Sequence, residues 1–386
     1  MNQHDLGYLL ALLRFPKFGP IRLAKLRGFF DSMEAAFTTD RENLIAAKIE
    51  PKIVEQFLAT RSQLSPEKEL LWLEKCHVKA IAFTDLDYPP LLKTIYDPPA
   101  VLFVRGQLPP ADRLNLAVVG SRKPTNYGSR VVATLIEPLV AAGVTIISGL
   151  AYGIDTLAHE ATLQANGLTV AVLGSGVDDN NIFPSINRNL AKKIIENNGA
   201  VISEFPIGSP PMKQNFPIRN RIIAGLCHGT LIVEAAKTSG SLITARAALE
   251  DSREIFAVPG PIGFESSEGT NQLIKTGAHV VTETEDILSV LQMVSPAFSK
   301  TINHPRWTEP RKNETMRPES KTTTKLAPIP ASPEEAEILK FLSQEPIHID
   351  DLARNTNKKI SEISHVLTLM EMKGSARHVG GLYYTL

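Results

Sequence analysis

The spacing of apolar positions changes character several times along the chain. From Leu6 to about Glu74, apolar residues recur every three or four positions in LGYLLALLRF, IRLAKLRGFF and IVEQFLATRSQL, which predicts a small helical domain over 1–75. Between Lys79 and Gly106, β-rich runs are broken by Pro pairs and read as short extended pieces leading into a larger domain. From Leu114 the runs LNLAVVG, TIISG, TVAVLG, AVISE, TLIVEA and EIFAVPG alternate with helix-length stretches. Each run is apolar almost throughout and ends on small or polar residues, so repeated βα units with a parallel sheet covered on both faces are expected. The fold class is therefore α/β: a Rossmann-like doubly wound sheet over 76–293, with its core from about 110.

Past Val294 the pattern dissolves into Pro, Ser, Thr and charge, which predicts a linker over 294–331. Lys and Arg outnumber Glu there, so the linker either skims a nucleic-acid backbone or is a solvated tether. From 332 a compact unit resumes, with Ser332 as N-cap, Pro333 at the first helical position and Glu335 completing a capping box. EEAEILKFLSQ, IDDLARNT and KISEISHVLTLMEMKG read as three helices, and ARHVGGLYYTL as a hairpin around Gly380 and Gly381. That order suggests a winged-helix domain over 332–386. Its third helix, with Lys358, Lys359, Ser361, Ser364 and His365, would face duplex DNA, or the domain would dock a protein. In the helical start, Phe18, Gly19, Pro20, Ala24 and Leu26 resemble half of a helix-hairpin-helix, or form a plain helical turn.

Charge narrows the partner. Among 386 residues Lys+Arg and Asp+Glu both total 41, so contact with a polyanion must come from a local basic patch. Cys76 and Cys227 are far apart, which argues against a disulfide framework or zinc site. The opening MNQHDLGYLL carries Asp5 within a short apolar stretch, unlike a secretory leader, and a cytoplasmic protein without membrane spans is expected.

The chemistry gathers at the strand ends. The first α/β strand runs into Gly120-Ser121-Arg122-Lys123-Pro124-Thr125 just before a helix, where backbone N–H groups favour phosphate. The spacing is neither G-x-G-x-x-G nor a P-loop, so no NAD, FAD or ATP cofactor is expected. In the second loop Asp155 is placed as an N-cap, and His159 reads as structural in preference to catalytic. After the third strand Arg188 is a candidate phosphate contact. The densest signal is Lys213, Phe216-Pro217 and Arg219-Asn220-Arg221 before the apolar helix IIAGL. Cations beside an aromatic suit single-stranded nucleic acid, the ring stacking a base; the alternative is a loop whose arginines tie down carbonyls and Glu204 or Glu234. Lys237, Thr238, Ser239, Gly240, Ser241 and Thr244 form an anion cradle at a further helix start. No carboxylate pair, metal cluster or Ser/His/Asp ordering accompanies these residues, so the pocket reads as a binder of phosphodiester, not a catalyst.

The motifs AVVGSRKPTNYG, IISGLAYGIDTLAHEATL, TVAVLGSGVD, SEFPIGSPPMKQNFPIRNRIIAGL and LIVEAAKTSGSLITARAALEDSREIFAVPG resemble, in order, those of the DprA/Smf family of DNA-processing proteins. The resemblance covers most of residues 85 to 290; the helical start is similar to that family's SAM-like or helix-hairpin-helix extension and the tail to its winged helix. It implies a homodimeric mediator that binds and shields incoming single-stranded DNA during natural transformation and loads RecA onto it. Carried over by position, Ser121, Arg122, Lys213, Phe216, Arg219, Asn220, Arg221, Lys237, Ser239 and Ser241 would line the DNA pocket. After Phe183-Pro184, where many members have lysine, Ser185 stands here, and Arg188 is the nearest cation. Two other readings compete. One is a LOG-type nucleotide phosphoribohydrolase, with Glu234 and Arg122 as its pair, although the PGGxGTxxE signature is absent. The other is a winged-helix regulator whose α/β domain senses a nucleotide.

Overall fold

The computed structural model describes residues 1–294, 333–342, 347–356, 358–372, 376–380 and 383–385. These form two compact units, the first holding every described residue up to Val294. The linker and Ser332 lie outside the described residues.

Six helices open the first unit: α1 (Gln3–Arg14), α2 (Pro20–Phe29), α3 (Met33–Thr38), α4 (Arg41–Ala46), α5 (Pro51–Thr60) and α6 (Pro66–Lys75). Their starts carry the expected signals, with Asn2, Ser32, Asp40 and Ser65 as side-chain caps and Pro at the starts of α2, α5 and α6. Gly19 caps α2, whose Arg22 is engaged by Glu50 and whose Lys25 donates to the Lys48 carbonyl.

The sheet then runs β1 (Lys79–Ala82), β2 (Val101–Gly106), β3 (Asn115–Val119), β4 (Thr145–Ser148), β5 (Thr169–Val172), β6 (Ala200–Ser203), β7 (Gly229–Ile232), β8 (Glu254–Ala257) and β9 (His279–Val280). Its spatial order is β1-β2-β6-β5-β4-β3-β7-β8-β9. β3 to β9 pair in parallel, whereas β2 lies antiparallel to β6 and β1 antiparallel to β2. The extended pieces of 79–106 are thus part of the sheet itself, a hairpin-like edge added to a doubly wound core. A short helix, α7 (Pro90–Lys93), begins at the first of the Pro pairs between them, with Pro89 as its N-cap.

The crossovers are α8 (Asn126–Ala141), α9 (Ile154–Gln164), α10 (Arg188–Glu196), α11 (Asn215–Gly225), α12 (Ser241–Glu250) and α13 (Glu265–Lys275), and α14 (Glu285–Val294) follows the last strand. Alternation within each strand sends its side chains to opposite faces. Leu116 and Val118 of β3 pack with α8, α9 and α14, whereas Ala117 and Val119 pack with α11 and α12. A third apolar cluster joins α1–α6 to Phe103, Ala171, Leu173 and α10, so the helical start shares one core with the sheet. Arg14 fastens it further, pairing with both Glu69 oxygens and donating to the Ile207 carbonyl at 2.8 Å.

The second unit contains α15 (Pro333–Leu339), β10 (Ile347–His348), α16 (Ile349–Thr356), α17 (Ile360–Met372), β11 (Arg377–Gly380) and β12 (Tyr383–Thr385). The strands form a sheet of order β10-β12-β11 around a core of Ile338, Leu352, Ile363, Leu367 and Met370. Three helices closed by an antiparallel hairpin make a winged helix. The hairpin's turn at Gly381 lies outside the described residues. Lys358 pairs with Glu337 at 2.8 Å, tying the start of α17 to α15.

Candidate nucleic-acid interface

In the doubly wound order, β4 lies on one side of β3 and β7 on the other, so the crossovers after β3 and β7 leave in opposite directions and open a crevice at the strand ends. A cavity of about 600 Å³ occupies that crevice. Its walls are Gly120, Ser121 and Arg122 after β3, Ala151 and Asp155 after β4, Phe183 after β5, Lys213, Phe216, Arg219 and Asn220 before and within α11, and Ala236 with Thr238 to Ser241 at the start of α12. Eight of the eleven candidate residues converge there: Ser121, Arg122, Lys213, Phe216, Arg219, Asn220, Ser239 and Ser241.

Their surroundings sort them. The Arg122 guanidinium stands 5.9 Å from the centre of the Phe216 ring. Phe216 also rests on Gly174, where a β-carbon would meet its Cδ1 at 2.9 Å, and tilts against Phe183 at a centroid distance of 5.7 Å. The ring is therefore half-buried and held on its back. Ser239 and Ser241 bridge hydroxyls at 2.7 Å at the start of α12, and Asn220 donates to the Gly240 carbonyl at 3.3 Å. Helix N-terminal amides, hydroxyls and two exposed cations make a cavity suited to an anionic polymer.

Arg219 is present but differently used. It is 4% exposed, and its Nη1 donates to the carbonyls of Gly149, at 2.7 Å, and Val172. Burial lowers its pKa to about 10, so it stays cationic at neutral pH, with its charge turned into the floor of the cavity. Asp155 lies beneath the same loop and accepts from the N–H groups of Gly149 and Ala151. It is not the N-cap of α9; Gly153 is, at φ +79°, and it packs against the backbone of Ser121 and Arg122.

Three candidates fall outside the cavity. Arg221 pairs with Glu204 at 2.5 Å and with Asp97 at 3.1 Å. The reason is helical geometry: α11 begins at Asn215, so the Arg-Asn-Arg run lies inside the helix, where successive residues are about 100° apart and 219, 220 and 221 cannot share one face. The first arginine ties down carbonyls and the second Glu204, as in the alternative drawn from the sequence. Arg188 is exposed at the start of α10 and donates to the Asn180 carbonyl at 3.2 Å. Lys237 lines a separate cavity with Pro259, Ile262 and Phe264.

Glu234 is 3% exposed, accepting from the Thr125 hydroxyl at 2.5 Å and the Thr125 N–H at 2.9 Å at the start of α8. It is not part of the cavity wall and serves as the anion at a helix N-terminus. His159 is fully buried; its Nδ1 meets the Thr169 hydroxyl at 2.7 Å, in keeping with a structural role. Phe183 was legible only as half of a Phe-Pro step, and its service as a brace for Phe216 depends on two loops distant in sequence. No group of His, Cys, Asp and Glu among the described residues is arranged to hold a metal.

The family described as DNA recombination-mediator protein A matches residues 79–292, and the DprA winged helix domain matches residues 322–381. The chain is 52% identical over 228 residues to protein Smf of Escherichia coli K12, covering 59% of this chain and 60% of that protein. It is 33% identical to protein Smf of Synechocystis over 401 residues, all of this chain and 99% of that one. Among solved structures, DNA processing protein A from Streptococcus pneumoniae superposes with a TM-score of 0.63 at 33% identity, over 73% of this chain and 97% of that one. A structure of the Helicobacter pylori protein, described for its single-stranded DNA binding mode, gives 0.50 at 28% identity over 56% of this chain and 96% of that one.

Proposed function

Because the chain belongs to the DNA recombination-mediator protein A family, the DprA/Smf proteins, we propose that it binds single-stranded DNA in the crevice between β3 and β7. It shields incoming DNA during natural transformation and loads RecA onto it, acting in the cytoplasm as a homodimer without catalysing a reaction. The observation that carries the binding reading is the Arg122 guanidinium over the braced ring of Phe216, in a cavity that Lys213 and the helix start at Ser241 also line. The cations hold phosphates, Phe216 stacks a base, and the Ser239 and Ser241 hydroxyls with nearby amides complete the anion cradle. None of these contacts reads a base edge, so binding is sequence-tolerant. Arg219 supports the floor, and Arg188, Arg221 and Lys237 take no part in this crevice.

The phosphoribohydrolase reading requires Glu234 to act with Arg122 on a nucleotide. The Thr125 bonds occupy its carboxylate outside the cavity, which favours the mediator. The winged helix contacts duplex DNA or a partner protein as a separate module. No described helix is long and apolar enough to cross a membrane.

The test is fluorescence anisotropy with labelled oligo-dT and a matched duplex across a salt series, on wild type and Arg122→Ala. Salt-sensitive single-strand binding is expected, with a slope of about −0.7 per neutralised phosphate, made shallower by the substitution. Unchanged affinity and slope in a folded Arg122→Ala protein would remove the crevice from consideration, and a preference for one duplex sequence would favour the regulator.

A further inference from the structure

A second cavity of about 610 Å³, lined mostly by α9 and α10, shares three loops with the first. Arg122 lines the first and Pro124 the second; Ala151 and Tyr152 divide in the same way, as do Phe183 and Ile186. They meet at a ridge where Gly153, of the second cavity, packs against the Ser121 and Arg122 backbone of the first too closely for a β-carbon. The floor is fixed in advance: buried Asn187 donates to the Leu150 carbonyl at 2.9 Å and to the Thr156 hydroxyl at 2.8 Å, joining the loops after β4 and β5. On this floor Tyr152 is 49% exposed and Ile186 73% exposed, an aromatic and an aliphatic surface facing solvent beside a polar crevice. Lys193 and Glu160 border it from α10 and α9.

We propose that a single strand leaving the first crevice crosses the Gly153 ridge and continues into this second cavity, where Tyr152 stacks a base and Lys193 meets a phosphate. The inference rests on the single-strand reading of the first crevice. An exposed aromatic beside a cation, continuous with an anion-binding crevice through shared loops, is the arrangement that tracks a strand beyond its first contact. Glu160 opposes it, so the subsite is weak by itself and adds to a strand already anchored at Arg122. The cavity thereby sets how many nucleotides the protein occludes.

The experiment compares labelled oligo-dT of about 4 and about 16 nucleotides, the range spanned by single-strand sites, on the full chain. Tyr152→Ala is expected to weaken the long oligomer about tenfold and leave the short one unchanged. Lys193→Ala lowers the long-oligomer salt slope by about 0.7, and Glu160→Gln tightens long-oligomer binding. Tyr152, Lys193 and Glu160 are all exposed side chains, so melting temperatures report that the variants fold. If all three leave long-oligomer affinity unchanged while Arg122→Ala weakens both oligomers, the second subsite is overturned and the first crevice stands. If wild type binds neither oligomer, both are overturned. Equal losses for short and long oligomers in Tyr152→Ala would also overturn it, by placing Tyr152 in the first crevice.

Discussion

Arg219 and Gly149 are locked together: Arg219 Nη1 donates to the Gly149 carbonyl at 2.7 Å, and a β-carbon on Gly149 would lie 2.5 Å from Nη2. The Gly149 N–H is held from the other side by Asp155 at 3.1 Å. Gly149 is thus required for a close approach, and the guanidinium cannot swing aside without losing both carbonyl partners. Gly149→Ala should destabilise the protein by about 1–3 kcal/mol through overpacking. Arg219→Met should cost about 1–3 kcal/mol, because it leaves the buried Gly149 and Val172 carbonyls without their donor and removes the positive charge that acts on buried Asp155. Chemical denaturation checks both, and the folded fraction of Gly149→Ala should keep more single-strand affinity than Arg122→Ala does. An Arg219→Met protein of wild-type stability would overturn the structural role of Arg219.

Arg221, two positions on, is structural in a different way. Its Nη2 pairs with Glu204 at 2.5 Å while its Nε faces Asp97 at 3.1 Å. Burial raises the Glu204 pKa to about 7, against the pull of Arg221. Removing the cation in Arg221→Met leaves the carboxylate unpaired, for an expected loss of about 3–5 kcal/mol at pH 8. A carboxyl whose folded pKa lies above its unfolded value of 4.5 contributes stability below that value, and the contribution disappears as pH rises through the folded pKa. The variant's deficit should therefore shrink between pH 8 and pH 6 as Glu204 takes up a proton. Adding Glu204→Leu should recover much of the loss at pH 8. Urea midpoints of the single and double variants at the two pH values decide it.

The strands of this protein were legible because a parallel sheet buried on both faces demands unbroken apolar runs, and β3 to β8 each fall on one. The edge pair β1 and β2 was harder to read, since Pro89, Pro90, Pro98 and Pro99 between them signal turns more strongly than the flanking residues signal strand. Arg122 could be placed because a doubly wound sheet collects its ligands at strand ends, and Lys213 and Phe216 because cations beside an aromatic are a local signal. Arg219 and Arg221 could not. Their sorting depends on where α11 begins, and Pro217, which suggested loop, is tolerated in a first helical turn. Glu234 likewise looked available until the fold brought the start of α8 against it.

Acid sensitivity follows from His159. Thr169 Oγ1 donates to the Ile146 carbonyl at 2.7 Å, so its contact with His159 is an acceptance from Nδ1–H, and Nε2 is left buried without a partner. Burial, helped by nearby Arg219, pushes the imidazole pKa down from 6.5 to about 3. A depressed folded pKa contributes stability above pH 6.5 that is lost as pH falls toward 3, because the unfolded chain binds the proton first. The slope due to this residue should approach one proton, about 1.4 kcal/mol per pH unit, in that window. Glu204 acts in the opposite sense between pH 4.5 and 7, so the comparison must be made between variants. His159→Gln, expected to be less stable at pH 7.5, should show a shallower decline from pH 6 to pH 4 than wild type. Parallel declines in the two proteins would mean that other groups govern the acid limb.

Phe216 and Lys213 border the same crevice, yet they should fail in distinguishable ways. The ring is braced by Gly174 and Phe183, so Phe216→Leu keeps an apolar side chain on that support and removes only the stacking face. Single-strand affinity should drop by about 1–3 kcal/mol with the salt slope unchanged, because no phosphate contact is lost. Lys213 is exposed just before α11, and Lys213→Ala should reduce the slope by about 0.7 with little effect on stability. The two effects should add if ring and cation meet different parts of the strand, and fall short of additivity if the lysine only orients the base on the ring. Anisotropy titrations of both single variants and the double variant, at three or more salt concentrations, separate these cases. A Phe216→Leu protein that loses slope along with affinity would show that the aromatic acts by holding Arg122 in place, through their 5.9 Å contact, and not by stacking a base.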